Sequence, residues 1–207
     1  MKSHFFFPNF LLLFFSVTTD ASSLSEFFKL SRYEKCWVIT HPFVAHKAFL
    51  ITNEARMETD LISKDRSLDQ DPYGGQVDAF RHAYWMARLA QNIKWKKAIS
   101  LGIAHEKANY LSFKKNKKDE EGFLPDSLSS VMDLSNNNIG VAIGCNFKNN
   151  SPAEIKTIII LAIQEGKMIV LKKNNLGHYL NCDGNVLSHL TQPNWYVPKC
   201  LVSSKKD

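Results

Sequence analysis

The sequence predicts a mainly α-helical single domain: several helices around a central buried one, with a small irregular or β-hairpin extension at the C-terminus. Three observations carry this. First, Gln76 to Ile93 runs without Gly or Pro and is rich in Ala, Leu, Met and Arg, all good helix formers. Second, helix starts and stops recur along the chain, with Pro42, Asp126, Ser151-Pro152 and Gly166 in the positions where such residues begin or end helices. Third, residues 22–207 suit one domain with a good core, and the chain has no internal repeat.

Taken in order, residues 1–21 read as a secretory signal. Lys2 is followed by an apolar run, Phe5 to Val17, and by small residues at Thr19 and Ala21. The run is too short to cross a bilayer, which takes ~20 residues. Export to the periplasm or the exterior is therefore expected. Ser25 to Tyr33 predicts a first helix, and a second starts near Thr40 with Pro42 in its first turn. Ser67 to Gly75 is a loop. On the central helix, Asp78 and His82 share a face with Trp85, Met86 and Leu89. Arg81, Arg88, Gln91 and Asn92 form its narrow wet sector.

Lys96 to Ser112 predicts the next helix, with Ile99, Ile103, Glu106 and Tyr110 on one face. Trp85, Leu89 and Ile103 are expected in the core. A charged loop over 114–122 follows. Asp126 caps a helix from Ser127 to about Val141, on which Asp133, Asn136, Asn137 and Gly140 share a face. Ser151-Pro152-Ala153-Glu154 is a capping-box start for a helix ending at Gly166. Residues 22–166 thus form the helical domain and 167–207 an extension, in which 168–171 and 178–181 predict a β-hairpin.

Four cysteines lie beyond the leader, at 36, 145, 182 and 200. In an exported chain an even number favours two disulfides, of three possible connectivities. Pairing Cys182 with Cys200 closes a short C-terminal loop and leaves Cys36 to join Cys145. No C-x-x-C pair suggests a thiolate zinc site.

The formal charge is +6, much of it at Lys94, Lys96, Lys97 and Lys114 to Lys118. The second run meets Asp119, Glu120 and Glu121 at once, so no specific nucleic-acid partner is expected. A weak attraction to anionic surfaces is. The sequence contains no nucleophile elbow, Walker or dinucleotide fingerprint.

Three consecutive helices each carry a compact polar pair in apolar surroundings: Asp78 with His82, His105 with Glu106, and Asp133 with Asn137. All are turned inward, which argues for one shared polar pocket. Carboxylates and imidazoles are the ligands of zinc, manganese and iron sites. A divalent metal is accordingly expected, and with it a metal-dependent hydrolase. The alternative is a non-catalytic domain in which the same residues form a structural network or a ligand pocket.

The stretches Gly75-Gln76-Val77-Asp78-Ala79-Phe80-Arg81-His82-Ala83-Tyr84-Trp85, Ala104-His105-Glu106 and Met132 to Gly140 resemble a bacterial domain family of unknown function. Its signature is DAFRHAxW, AHE and MDLxNNxxG, and the likeness spans roughly residues 40 to 166. Ser135 departs from it, where His is expected in many members. More loosely, the order Arg81-His82, His105-Glu106, Asp133 is similar to the H…HD…D order of the HD-domain phosphohydrolases, with Glu106 in place of Asp. That likeness implies His82, His105, Glu106 and Asp133 as metal ligands. Asp78 would orient His82 or complete the ligand set, and Arg81 and Asn137 would position substrate oxygens. It also implies a small-molecule, phosphoester or phospholipid substrate.

Overall fold

The computed structural model describes residues 21–118, 124–187 and 194–205. All of the expected leader except Ala21 lies outside them, as do Asp119 to Glu121 and His189. Among the described residues the chain forms seven helices and one two-stranded antiparallel sheet. The mainly α expectation is met.

Helices α1 (Ala21–Lys29) and α2 (Arg32–Thr40) stand where one helix was expected. The break is made by Ser31, whose hydroxyl accepts from Glu34 N while the Glu34 carboxylate accepts from Ser31 N. Helix α3 (Pro42–Ile62) starts on Pro42 as read. After the 63–75 loop come α4 (Gln76–Asn92) and α5 (Trp95–Lys114). Helix α6 (Ser127–Asn146) is capped by Asp126, which accepts from Leu128 N and Ser129 N, and runs one turn past the predicted end. Helix α7 (Pro152–Gln164) carries the expected capping box at Ser151 and Glu154. None of the described helices is long and apolar enough to cross a membrane.

Helix α4 is the axis of the molecule. Val77, Ala79, Phe80, Ala83 and Tyr84 pack with Ala55 and Ile62 of α3 and with Ile155, Ile159 and Ile163 of α7. Farther along, Met86, Leu89 and Ala90 pack with Trp37, Ile51, Ala98 and Leu101. Half-buried Trp85 touches both groups. Helix α6 lies closest to α4, because a Cβ on Gly140 would come within 2.3 Å of Ala83 O, and one on Gly144 within 2.2 Å of Ala87 O. Only glycine permits that approach.

Three expectations are corrected. Ile103 is 41 % exposed rather than core. The inward stripe of α5 is Ala98, Leu101, Gly102 and Ala108, one step around the wheel from the one predicted. The strand partner of β1 (Ile169–Leu171) is β2 (Leu201–Ser203) at the far end of the extension, not residues 178–181. Those residues instead make single bridges, Lys173 with Tyr179 and Leu180 with Val186. Finally, Cys182–Cys200 is a disulfide, but Cys36 and Cys145 are both free and exposed. Cys36 lies on α2 and Cys145 near the end of α6, each on an outward surface. Alkylation of the native, unreduced protein should therefore label two thiols.

The extension is tied closely to the helical body. Leu171 N donates to Gly74 O at 2.7 Å, and Gln76 Nε2 donates to Ser204 O at 2.7 Å. The Lys173 ammonium bridges Asp71 and the Tyr73 carbonyl, to which Tyr179 also donates. Asn136 receives Ile169 N and donates to Ile169 O, fixing the first residue of β1.

Candidate functional site

The first turns of α4 and the middle of α6 run side by side in the same direction, so that Asp78, His82, Asp133 and Asn137 meet. Asp78 is held from both ends. Its Oδ2 accepts from Gly74 N at 2.6 Å, and its Oδ1 from Arg81 Nη2 at 2.6 Å. Gly74 adopts φ +86°, which only glycine takes freely, and so aims its N–H at the carboxylate. His82 Nδ1 lies 3.3 Å from Asn137 Oδ1. As the Asn oxygen can only accept, Nδ1 carries the proton and Nε2 a lone pair. That Nε2 faces Asp78 Oδ1 at 3.5 Å and Asp133 Oδ1 at 3.4 Å.

Three acceptor atoms thus converge, one each from Asp78, His82 and Asp133, all within 4.8 Å of one another and all on buried residues. Arg81 Nη2 is the donor among them, also 3.3 Å from His82 Nε2. Asp133 Oδ1 nevertheless has no hydrogen-bond partner, because His82 Nε2, 3.4 Å away, presents a lone pair and cannot donate to it. Glu106 Oε1 and Asn137 Nδ2 are likewise buried without partners. A buried polar atom left unpaired costs roughly 1–3 kcal/mol. Of four such side-chain atoms among the described residues, these three belong to the motif helices.

Charge follows the same pattern. Burial, reinforced by Asp78 and Glu106, pushes the Asp133 carboxyl well above the usual carboxylate range. Burial also raises Asp78, against the pull of Arg81, and raises Glu106, against the pull of His105. Burial lowers His82, helped by the Arg81 and His105 charges, so its imidazole is neutral. Three enclosed acids beside one arginine would, if all ionised, carry an excess of negative charge, and their raised pKa values express the cost of it. That excess, the unpaired oxygens and a neutral imidazole are what a divalent cation requires of its ligands. The residues present therefore fit such an ion, with Arg81, 23 % exposed, as the cation it would have to displace toward solvent.

The sequence-predicted residues divide accordingly. Asp78, His82 and Asp133 are brought to one point. Glu106 is buried nearby, its Oε2 receiving Asn109 at 3.3 Å. His105 lies outside the three-atom group. Its ring centre is 6.4 Å from that of His82, and its Nδ1 is 3.2 Å from Glu34 Oε1. Burial works against protonation of His105, but the Glu34 hydrogen bond and the Glu106 and Glu34 charges together raise its pKa above the usual value. For Glu34, burial is outweighed in turn by His105 and Ser31, and its pKa is lowered. Trp85 presses on the His105 ring at 5.7 Å in an edge contact. Ser135 is half-buried and, two residues from Asp133, on the other side of α6.

Sequence reading missed Glu34. Its one available signal was the Ser31-x-x-Glu34 capping box, which places the residue at a helix start but not against His105. Comparison with curated proteins and with solved structures gave no match. A family described as a domain of unknown function, DUF6973, matches residues 35–167, which takes in α3 to α7, most of α2 and every residue of the acceptor cluster. The chain belongs to that family.

Proposed function

We propose that this protein is an exported hydrolase dependent on a divalent metal ion and acting on a phosphoester. The observation that carries the proposal is the convergence of three buried acceptor atoms from Asp78, His82 and Asp133, together with three buried polar atoms, Asp133 Oδ1 itself, Glu106 Oε1 and Asn137 Nδ2, that have no hydrogen-bond partner among the described residues. Asp78, His82 and Asp133 supply the ligand set, with Asp78 completing it, one of the two roles the sequence left open for that residue, and without His105. Zinc, manganese and iron all accept such ligands. The bound ion would supply Lewis acidity and make water a nucleophile near neutral pH.

The chain's own groups do the rest. Glu106 Oε1 accepts a proton or holds water. Asn137 Nδ2 donates to a substrate oxygen, and Arg81, once turned outward, grips the phosphoryl oxygens bidentately. His105, its Nδ1 held by Glu34, presents Nε2 for proton transfer to the leaving group. The Cys182–Cys200 disulfide and the apolar run Phe5 to Val17 support export.

A second reading has an observation of its own. Arg81 already bonds Asp78, and Gly74 completes that carboxylate, as a purely structural network would have it. Metal analysis of the purified protein separates the two, together with melting in zinc and in manganese and a screen of phosphoesters. The hydrolase reading expects about one ion per chain, a raised melting temperature with metal, and loss of both in Asp133→Ala. Reconstituted protein that binds no ion and is not stabilised by one would leave only the structural network.

A further inference from the structure

The outward face of α5 is basic and aromatic while its inward face carries His105 and Glu106. All four lysines of the helix, Lys96, Lys97, Lys107 and Lys114, lie on a segment whose one acid, Glu106, is buried. Lys96, Ile103, Lys107, Tyr110 and Lys114 fall within a narrow arc at 100° per residue. Ile103 is 41 % exposed, Tyr110 38 % and neighbouring Trp95 47 %. Each ammonium of this arc sits over a ring: Lys96 over Trp95 at 5.5 Å, Lys107 over Tyr33 at 5.7 Å, Lys114 over Tyr110 at 4.7 Å. Tyr33 is also covered by Arg32, and the next residue, Glu34, reaches His105. The basic aromatic surface therefore continues across α2 to the seam where the His105 side chain is 33 % exposed.

We infer that this face docks the protein on an anionic phospholipid surface, which makes a lipid phosphoester the substrate class of the neighbouring site. The inference rests on the phosphoester reading of that site. Lysines set beside exposed aromatic and aliphatic side chains are the pattern of a water–lipid interface, where the charge meets headgroups and the rings enter the boundary layer. A single-stranded polyanion would want free ring faces for stacking. Here Tyr110 packs edge-on against Trp195 at 4.8 Å and carries Lys114 on its face. An isolated charge patch would not need Ile103 uncovered between its lysines.

The test is co-sedimentation with vesicles of phosphatidylcholine, with and without phosphatidylglycerol. Full-length protein is compared with Lys96→Gln/Lys107→Gln/Lys114→Gln, after both are shown to melt alike. The apolar N-terminal run is common to both, so only the difference between them is read. At low salt the triple variant should bind anionic vesicles about a hundredfold more weakly, at roughly fivefold per lysine. Binding to neutral vesicles should be equal, and Tyr110→Ala should weaken anionic binding further. Equal binding of parent and variant to anionic vesicles overturns the inference. So does binding to dextran sulfate without binding to vesicles, which would assign the face to a soluble polyanion. Chelator-treated protein serves as well as metal-loaded protein here. A parent protein that does not bind anionic vesicles but turns over soluble phosphoesters therefore defeats the surface alone, and a parent that binds vesicles with no turnover defeats the hydrolase alone.

Discussion

The same two helices, α4 and α6, meet in two ways within a few turns. From Ala83 and Gly140 onward the contact is dry: Gly140 lies on Ala83 and Gly144 on Ala87, with Leu89 and Met86 fully buried alongside. One turn earlier, Asp78, His82, Asp133 and Asn137 fill the equivalent space, and Asp133 Oδ1 and Asn137 Nδ2 go unpaired. One half of the seam holds the protein together. The other half weakens it, and sites that bind or react commonly do so. Substitutions in the two halves should therefore act with opposite sign.

The largest expected effect lies in the dry half. Leu89→Ala removes a fully buried side chain and should cost about 2–5 kcal/mol in urea unfolding. An unchanged midpoint and slope would place α4 differently from the structure. Gly140→Ala follows, at about 1–3 kcal/mol, since its methyl would meet the Ala83 backbone and α6 must move away.

In the polar half, Asp133→Asn should stabilise the metal-free protein by about 0.5–2 kcal/mol. The sign with pH follows from the raised pKa of Asp133. The folded state holds that proton more tightly than the unfolded state does. The penalty of the parent is thus absent at strongly acid pH and grows as pH rises through the folded pKa. The gain from Asn should grow over the same range; a gain that instead shrinks toward neutral pH would mean that a counter-charge already satisfies Asp133. Added metal should reverse the order, protecting the parent and not the variant.

The smallest effect concerns His105. Its pKa is raised and that of Glu34 lowered, so the pair stabilises the fold between the two values. That contribution is lost as pH rises through the folded His105 pKa, and again as pH falls through that of Glu34. Glu34→Gln should lower the His105 pKa, read from its imidazole proton resonances, and cost about 1 kcal/mol, since the pair is only partly buried. An unmoved His105 titration would remove Glu34 from the site.

What could be read from the sequence was local. Ser151-Pro152 and Asp126 announce their helices by cap chemistry, and Asp78, His82, Asp133 and Asn137 announce themselves as polar residues on apolar faces. Ser31 and Glu34 repeat the Ser151 signal, but without the Pro that marks the first turn at 152, and the break between α1 and α2 went unread. Ile103 was misplaced because Ile99 and Ile103 outweigh the small residues Ala98, Gly102, Ala104 and Ala108 on any hydrophobic wheel. Yet close helix packing selects small side chains. The β1–β2 pairing joins residues more than thirty positions apart, and the thiols of Cys36 and Cys145 face solvent from separate helices. Neither arrangement leaves a trace in spacing. The Glu34–His105 bond is of the same kind, joining α2 to α5 across the seam.

The family match stops at residue 167, but the loop that aims Gly74 N–H at Asp78 is gripped from beyond it, by Leu171, Lys173 and Tyr179, with Gln76 tied to Ser204. These contacts close loops of about a hundred residues or more, the kind of long-range closure that slows folding. The acceptor cluster is therefore tied at Asp78 to some of the most sequence-distant contacts among the described residues. Without residues 168–204 the loop that carries Gly74 loses these ties, and with them the fixed position of the N–H that Asp78 Oδ2 accepts. The acceptor cluster thus depends on a part of the chain outside the family match, and truncation after residue 167 would loosen it first at Gly74.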